Sequence, residues 1–166
     1  MKFLITIAFL FCITACGTVS EIRTVNVRQP FDGAQAERMI AAGPNTIYGS
    51  ALMRQRGGGV VTCAGSEIIL VPATEYAKQR MASIFGSSNF SRTAVKFQPD
   101  VAEYKDLVRK TKCNVQGQFT FEQVADGEFF ISSTVVWAVG YNAQGGNMIE
   151  RVTVKNGQRK EVTLAN

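Results

Sequence analysis

The stretch NVQGQFTFEQVADGEFFI, residues 114 to 131, decides the fold class. Phe119 and Phe121 alternate with polar neighbours, and Phe129 and Ile131 repeat the pattern after the Ala125-Asp126-Gly127 break. Apolar residues at period two put one face of a strand against a core and the other toward water. Gly117 and Gly127 each precede an alternating run, where tight turns call for positive φ. The alternation continues through Val135 and Trp137, so the stretch predicts strands whose inward face carries Phe119, Phe121, Phe129, Ile131, Val135 and Trp137.

Downstream, MIERVTVK and RKEVTLA are further strands, separated by Gln-Gly-Gly and Asn-Gly turns. Upstream, the register from Asn45 is strand-like, with Ile47, Gly49, Ala51 and Met53 alternating with Tyr48, Ser50, Leu52 and Arg54, and SEIILVP (66–72) is a second strand ended by its proline. Between these blocks, TEYAKQRMASIFG reads as a helix, with Thr74 as N-cap and Gly86 just past its end. DVAEYKDLVRKTK (100–112) opens with a capping-box pattern at Asp100 and Glu103 and reads as a second helix. AQAERMIAAG (34–43) is a short N-terminal helix of strong helix formers that stops at Gly43-Pro44. Residues 17 to 31 read as a polar tether that spans about 50 Å when fully extended.

Taken in order, residues 114–131 resemble the D-x-x-G-x-F-x-F-x-x-V-x-x-G-x-Y-x-I pattern of carboxypeptidase regulatory-like domains, with Asn114 and Phe129 as departures. Val152-Thr-Val154, Gly157 and Val162-Thr-Leu164 resemble the closing strands of that family, and Ile47-Tyr-Gly49 and the segment up to Leu70 its opening ones. The resemblance covers residues 45–71 and 114–165. It implies a mainly β protein, a transthyretin-like (prealbumin-like) antiparallel β-sandwich over 45–166, with residues 72–112 as a helical insertion between strands. It also implies a non-catalytic accessory role.

The N-terminus gives an address. Lys2 precedes an uncharged apolar run from Phe3 to Ile13, shorter than the roughly 20 residues that cross a bilayer and fitting the apolar region of a secretory signal peptide. Ile13-Thr14-Ala15-Cys16 resembles a bacterial lipobox. That resemblance implies a signal peptide over 1–15, lipidation of Cys16, and residues 16–44 as lipidated tether and short helix. With Gly17 rather than aspartate next to the lipidated cysteine, it implies the periplasmic face of the outer membrane if the host is Gram-negative.

Cys12 leaves with the signal peptide and Cys16 is taken by the lipid, so two cysteines remain for an oxidising compartment and a Cys63–Cys113 disulfide is expected. The chain contains no histidine, which excludes Ser-His-Asp and Cys-His catalysis and removes the commonest zinc ligand. No calcium loop of D-x-D-x-D type is present, and no metal or cofactor is expected.

Three features remain as candidates for function. MRQRGGGVVTCAG (53–65) sets Arg54 and Arg56 beside three glycines, but lacks the lysine of a phosphate loop and leads into β-branched residues. It is expected to connect two strands, with anion binding by the two arginines as the lesser reading. Residues 78–112 hold eight basic and three acidic side chains. That lobe, with Lys78, Arg80, Lys105, Arg109, Lys110 and Lys112 as its candidate contacts, suits an acidic envelope-protein partner or anionic lipid. Trp137, the only tryptophan, and Tyr141 are candidates for stacking on carbohydrate or peptidoglycan. Nucleic acid is not expected as a partner. The first expectation is protein–protein interaction, the second saccharide binding, and the third a hydrolase using acidic residues such as Asp126.

Overall fold

The computed structural model describes residues 22–166; the signal-peptide and Cys16 lipidation readings lie outside them. The alternating stretch is β8 (Gln118–Val124) followed by β9 (Gly127–Val139). Phe119, Phe121, Phe129, Ile131 and Val135 are all buried, as their period predicts, and Gly117 and Gly127 have φ of 76° and 154°.

Two sheets pack face to face. In the first, β9 pairs antiparallel over its whole length with β10 (Asn142–Val154) and on its other side with β4 (Glu67–Pro72). The short β5 (Phe90–Ser91) extends the sheet beyond β10, and β7 (Arg109–Lys112) extends it beyond β4. The second sheet is built on β2 (Ala42–Arg54). One edge of β2 takes β11 (Arg159–Ala165) in parallel. The other takes β8 and then β3 (Val60–Thr62), both antiparallel. Ile47, Met53, Phe121 and Leu164 from this sheet meet Leu70, Phe129, Ile131 and Met148 from the first in one core cluster. The fold is therefore mainly β and sandwich-like. Gly49 is required where β2 meets β11, because a Cβ there would stand 1.8 Å from the Val162 carbonyl oxygen.

The disulfide is present, with Cα atoms 5.7 Å apart. Cys63 follows β3 and its N–H donates to the Ala51 carbonyl, whereas Cys113 follows β7 and its N–H donates to the Ser66 carbonyl. The bond therefore staples the two sheets to each other.

A second core covers the outer face of the first sheet. Val71, Phe130 and Ile149 pack there against α2 (Glu75–Phe85), β6 (Val95–Gln98) and α3 (Ala102–Asp106). Helix α2 begins at Thr74, whose hydroxyl accepts from the Ala77 N–H, and ends before Gly86 as expected.

Two readings of the sequence are corrected here. The helix expected over 100–112 stops at Asp106, and residues 109–112 are strand β7, paired from Leu70↔Arg109 to Glu67↔Lys112. The backbone groups of β4 on that edge need partners, and this pairing overrides helical propensity. The stretch read as tether is docked from residue 23. There β1 (Arg23–Asn26) runs parallel to β6, from Arg23↔Val95 to Asn26↔Gln98, and Val27 is buried. The alternation of Val25 and Val27 was too brief to show as a strand. The insertion thus carries β strands as well as helices.

The short N-terminal helix is α1 (Gly33–Ile40), opened by Asp32, whose carboxylate accepts from the Gln35 N–H at 2.8 Å. Asp32→Ala is expected to cost about 1 kcal/mol, the usual value of an N-cap, read as a lower urea midpoint at unchanged slope.

Candidate functional site

At one end of the sandwich, the C-terminal end of β2 and the far end of the β9–β10 hairpin leave a groove of about 750 Å³. Its floor is Met53, which is fully buried, and its wall is the half-buried Trp137 with Val139 and Phe90. Gln144 stands directly opposite Trp137 on the ladder. Arg54 enters from the end of β2, Arg56 from the β2–β3 turn and Arg92 from the loop after β5. Gln55 and Asn166 complete the polar lining.

Local chemistry holds these groups in place. The glycine run is a hairpin turn, as expected. The Gln55 N–H donates to the Gly59 carbonyl at 2.7 Å, and Gly57 and Gly58 have φ of 106° and 94°. The Asn166 side chain pins the backbone of Arg54 at both ends, accepting from its N–H at 2.7 Å and donating to its carbonyl at 3.2 Å. Arg92 lies over the Phe90 ring at 5.6 Å and donates from Nε to the Gly145 carbonyl at 3.2 Å. Gly145, with φ of 109°, is needed because a Cβ there would stand 2.0 Å from the Val135 carbonyl oxygen. Gly146 is needed for the approach of β5, because a Cβ there would stand 2.7 Å from the Ser91 carbonyl oxygen.

Two features that the sequence offered separately, Trp137 and the Arg54/Arg56 pair, thus share one groove. Tyr141 does not join them. It sits fully exposed at the tip of the β9–β10 hairpin and is not part of the groove lining. Arg92, Gln144 and Asn166 were not singled out from the sequence. Gln144-Gly145-Gly146, expected as a turn, lies instead within β10, where Gly145 and Gly146 stand opposite Val136 and Val135.

Of the six candidate contacts in the insertion, Arg80 is buried and four others are engaged within the chain. Arg80 is buried among Tyr76, Phe97 and Tyr104, so it is not a partner contact. Helical spacing from Tyr76 turns it inward, and the aromatic faces replace the solvent it loses. Arg109 donates to the carbonyls of Glu122 and Gln123, clamping β7 to β8. Lys105 pairs with Asp100 at 2.6 Å and holds that carboxyl below its usual range. Lys110 lies 3.6 Å from Glu67, and Lys78 pairs with Glu75 at 2.8 Å. Glu128, depressed by its hydrogen bond with Arg151, also faces Lys78. Lys112 forms no ion pair among the described residues. Among the same residues, no group of three His, Cys, Asp or Glu side chains is placed to hold a metal, and no helix is long and apolar enough to cross a membrane.

No protein-family model matches the chain, and no curated protein matches it. Among solved structures, the chain is similar to a candidate carbohydrate-binding protein from Pseudomonas aeruginosa, with a TM-score of 0.66 and 22% identity. The likeness covers 83% of this chain and 99% of that one, so the two share a fold.

Proposed function

We propose that this chain is a non-catalytic saccharide-binding lipoprotein of the cell envelope, anchored through Cys16 at a membrane surface and built on a transthyretin-like sandwich. The observation that carries the reading is Trp137, the only tryptophan, half-buried along a groove of about 750 Å³ beside amide and guanidinium donors. An indole face takes the apolar face of a sugar ring, and flanking amides answer its hydroxyls. The fold shared with a candidate carbohydrate-binding protein lends support, as does the lipobox-like Ile13–Cys16 for the address. Protein–protein recognition through the insertion ranks lower, because Arg80 is buried and Arg109, Lys78, Lys105 and Lys110 are engaged within the chain.

Glycan-array screening of the full chain, followed by calorimetry on a bound oligosaccharide, tests this. Trp137→Ala is expected to weaken binding by about 2 kcal/mol, roughly thirtyfold, the scale of a buried aromatic anchor. Tyr141→Ala, outside the groove, is expected to leave affinity within about twofold. A wild-type chain that retains no glycan, or a Trp137→Ala variant that binds as well as wild type, would refute the reading.

A further inference from the structure

The side-chain charge on the groove is one-sided. Arg54, Arg56 and Arg92 line it, and no aspartate or glutamate does. Among the described residues none of the three guanidinium groups enters an ion pair, whereas Lys78, Lys105, Lys110 and Arg151 each have a carboxylate within reach. Those four cations are neutralised where they stand. The groove instead collects three arginines beside the only tryptophan. The planar fork of an arginine matches carboxylate or sulfate oxygens two at a time, which a lysine ammonium does not do.

Their supports point the same way. Arg92 is held by Phe90 and by the Gly145 carbonyl through Nε, the inner nitrogen of its guanidinium. That leaves its outer nitrogens without a hydrogen-bond partner among the described residues. The backbone of Arg54 is fixed at both its N–H and its carbonyl by Asn166, so the root of that side chain is rigid. Pre-placed donors reduce the ordering cost of binding.

Resting on the saccharide reading, we infer that the ligand is an anionic oligosaccharide, its sugar ring against Trp137 and its carboxylate or sulfate groups against Arg54, Arg56 and Arg92. Uronic-acid and sulfated chains share this chemistry, and both belong in the test.

The experiment compares the full chain with the triple variant Arg54→Met, Arg56→Met, Arg92→Met. The probes are uronic-acid oligosaccharides, the same oligosaccharides after reduction of the carboxyl groups to alcohols, and sulfated oligosaccharides of similar length. A second triple variant, Lys105→Met, Lys110→Met, Lys112→Met, removes the same charge away from the groove. Wild type is expected to prefer an acidic probe over its neutral counterpart by at least about thirtyfold, and the arginine variant to lose that preference, as charge-assisted bonds to each acid group predict. The lysine variant is expected to keep it. Preference for uronic-acid over sulfated probes, or the reverse, identifies the acid group. Equal binding of acidic and neutral probes, still lost in Trp137→Ala, would overturn this inference and leave saccharide binding standing. An equal loss in the two triple variants would also overturn it, since the effect would then belong to net charge. Absence of binding to every probe overturns the saccharide reading together with the inference.

Discussion

Replacing Cys63 and Cys113 together by alanine is expected to lower the unfolding free energy by about 4 kcal/mol. The bond closes a loop of sequence separation 50, and chain entropy for a loop of that length gives this figure at 25 °C. Native-state packing adds to the expectation. Both cysteines are buried in the core between the sheets, with Cys63 fully enclosed. Each is also set by backbone bonds, Cys63 to Ala51 of β2 and Cys113 to Ser66 ahead of β4. Arg109, reaching from β7 to the carbonyls of Glu122 and Gln123, adds a polar tie between the same two sheets, but a reversible one. Urea unfolding of the oxidised protein, the reduced protein and the double variant measures the effect. Reduced protein should fall well below the oxidised form, and the double variant, which also loses two buried sulfur atoms, lower still. A difference under about 1 kcal/mol between oxidised and reduced protein would mean that the unfolded chain is already compact around the same contacts. The β2–β3 hairpin that carries Arg54 and Arg56 ends next to Cys63. Loss of the bond is therefore expected to loosen the groove before the far end of the sandwich.

How much of this could be read from the residues depended on the distance over which each signal acts. Phe119, Phe121, Phe129 and Ile131 announced their strands because period two is a local pattern that a buried face enforces. Thr74 and Gly86 marked both ends of α2 for the same reason, since caps are local. Residues 109–112 failed because Arg-Lys-Thr-Lys carries no apolar period, and the open edge of β4 decided its conformation from about forty residues away. Asn45 was equally silent. It is fully buried and donates to the Val124 carbonyl and to Asp126, while its own oxygen accepts from the Gln158 N–H. That knot ties the start of β2 to the turn before β11, and nothing in the local sequence distinguishes it from a turn asparagine. The groove was legible only in pieces. Arg54, Arg56 and Trp137 were singled out for separate reasons, and their meeting with Arg92 and Asn166 depends on the pairing of strands remote in sequence.

Arg80 shows what a count of charges misses, and it carries the second large expected effect. Its guanidinium lies 3.9 Å from the Phe97 ring centre and 4.4 Å from that of Tyr104, and it donates to the Tyr76 hydroxyl at 3.1 Å. No carboxylate pairs with it among the described residues. The negative faces of the rings stabilise the cation, with the Asp100 carboxylate close enough to act on it through space. The Tyr104 phenol supplies no counter-charge, because burial pushes its pKa up to about 12 and keeps it neutral. Arg80→Glu places an anion against those faces with no partner, and about 4 kcal/mol of stability is expected to be lost. Arg80→Met keeps the stem and loses only the cation, at a cost of about 2 kcal/mol. The two variants respond differently to pH. Burial raises the pKa of the introduced carboxyl in the folded state, so its charge penalty is full at neutral pH. The penalty shrinks as pH falls, and it is gone below the ordinary glutamate value of about 4.3. Measured by urea unfolding, the gap between the two variants should therefore narrow between about pH 7 and pH 4. Phe31, edge-on to both Tyr76 and Tyr104, links the cage to the segment after β1. Loss of the cage should accordingly free residues 23–31 in hydrogen exchange while the sandwich stays protected. A pH-independent gap, or protection lost evenly through both cores, would show that Arg80 does not act through its aromatic neighbours.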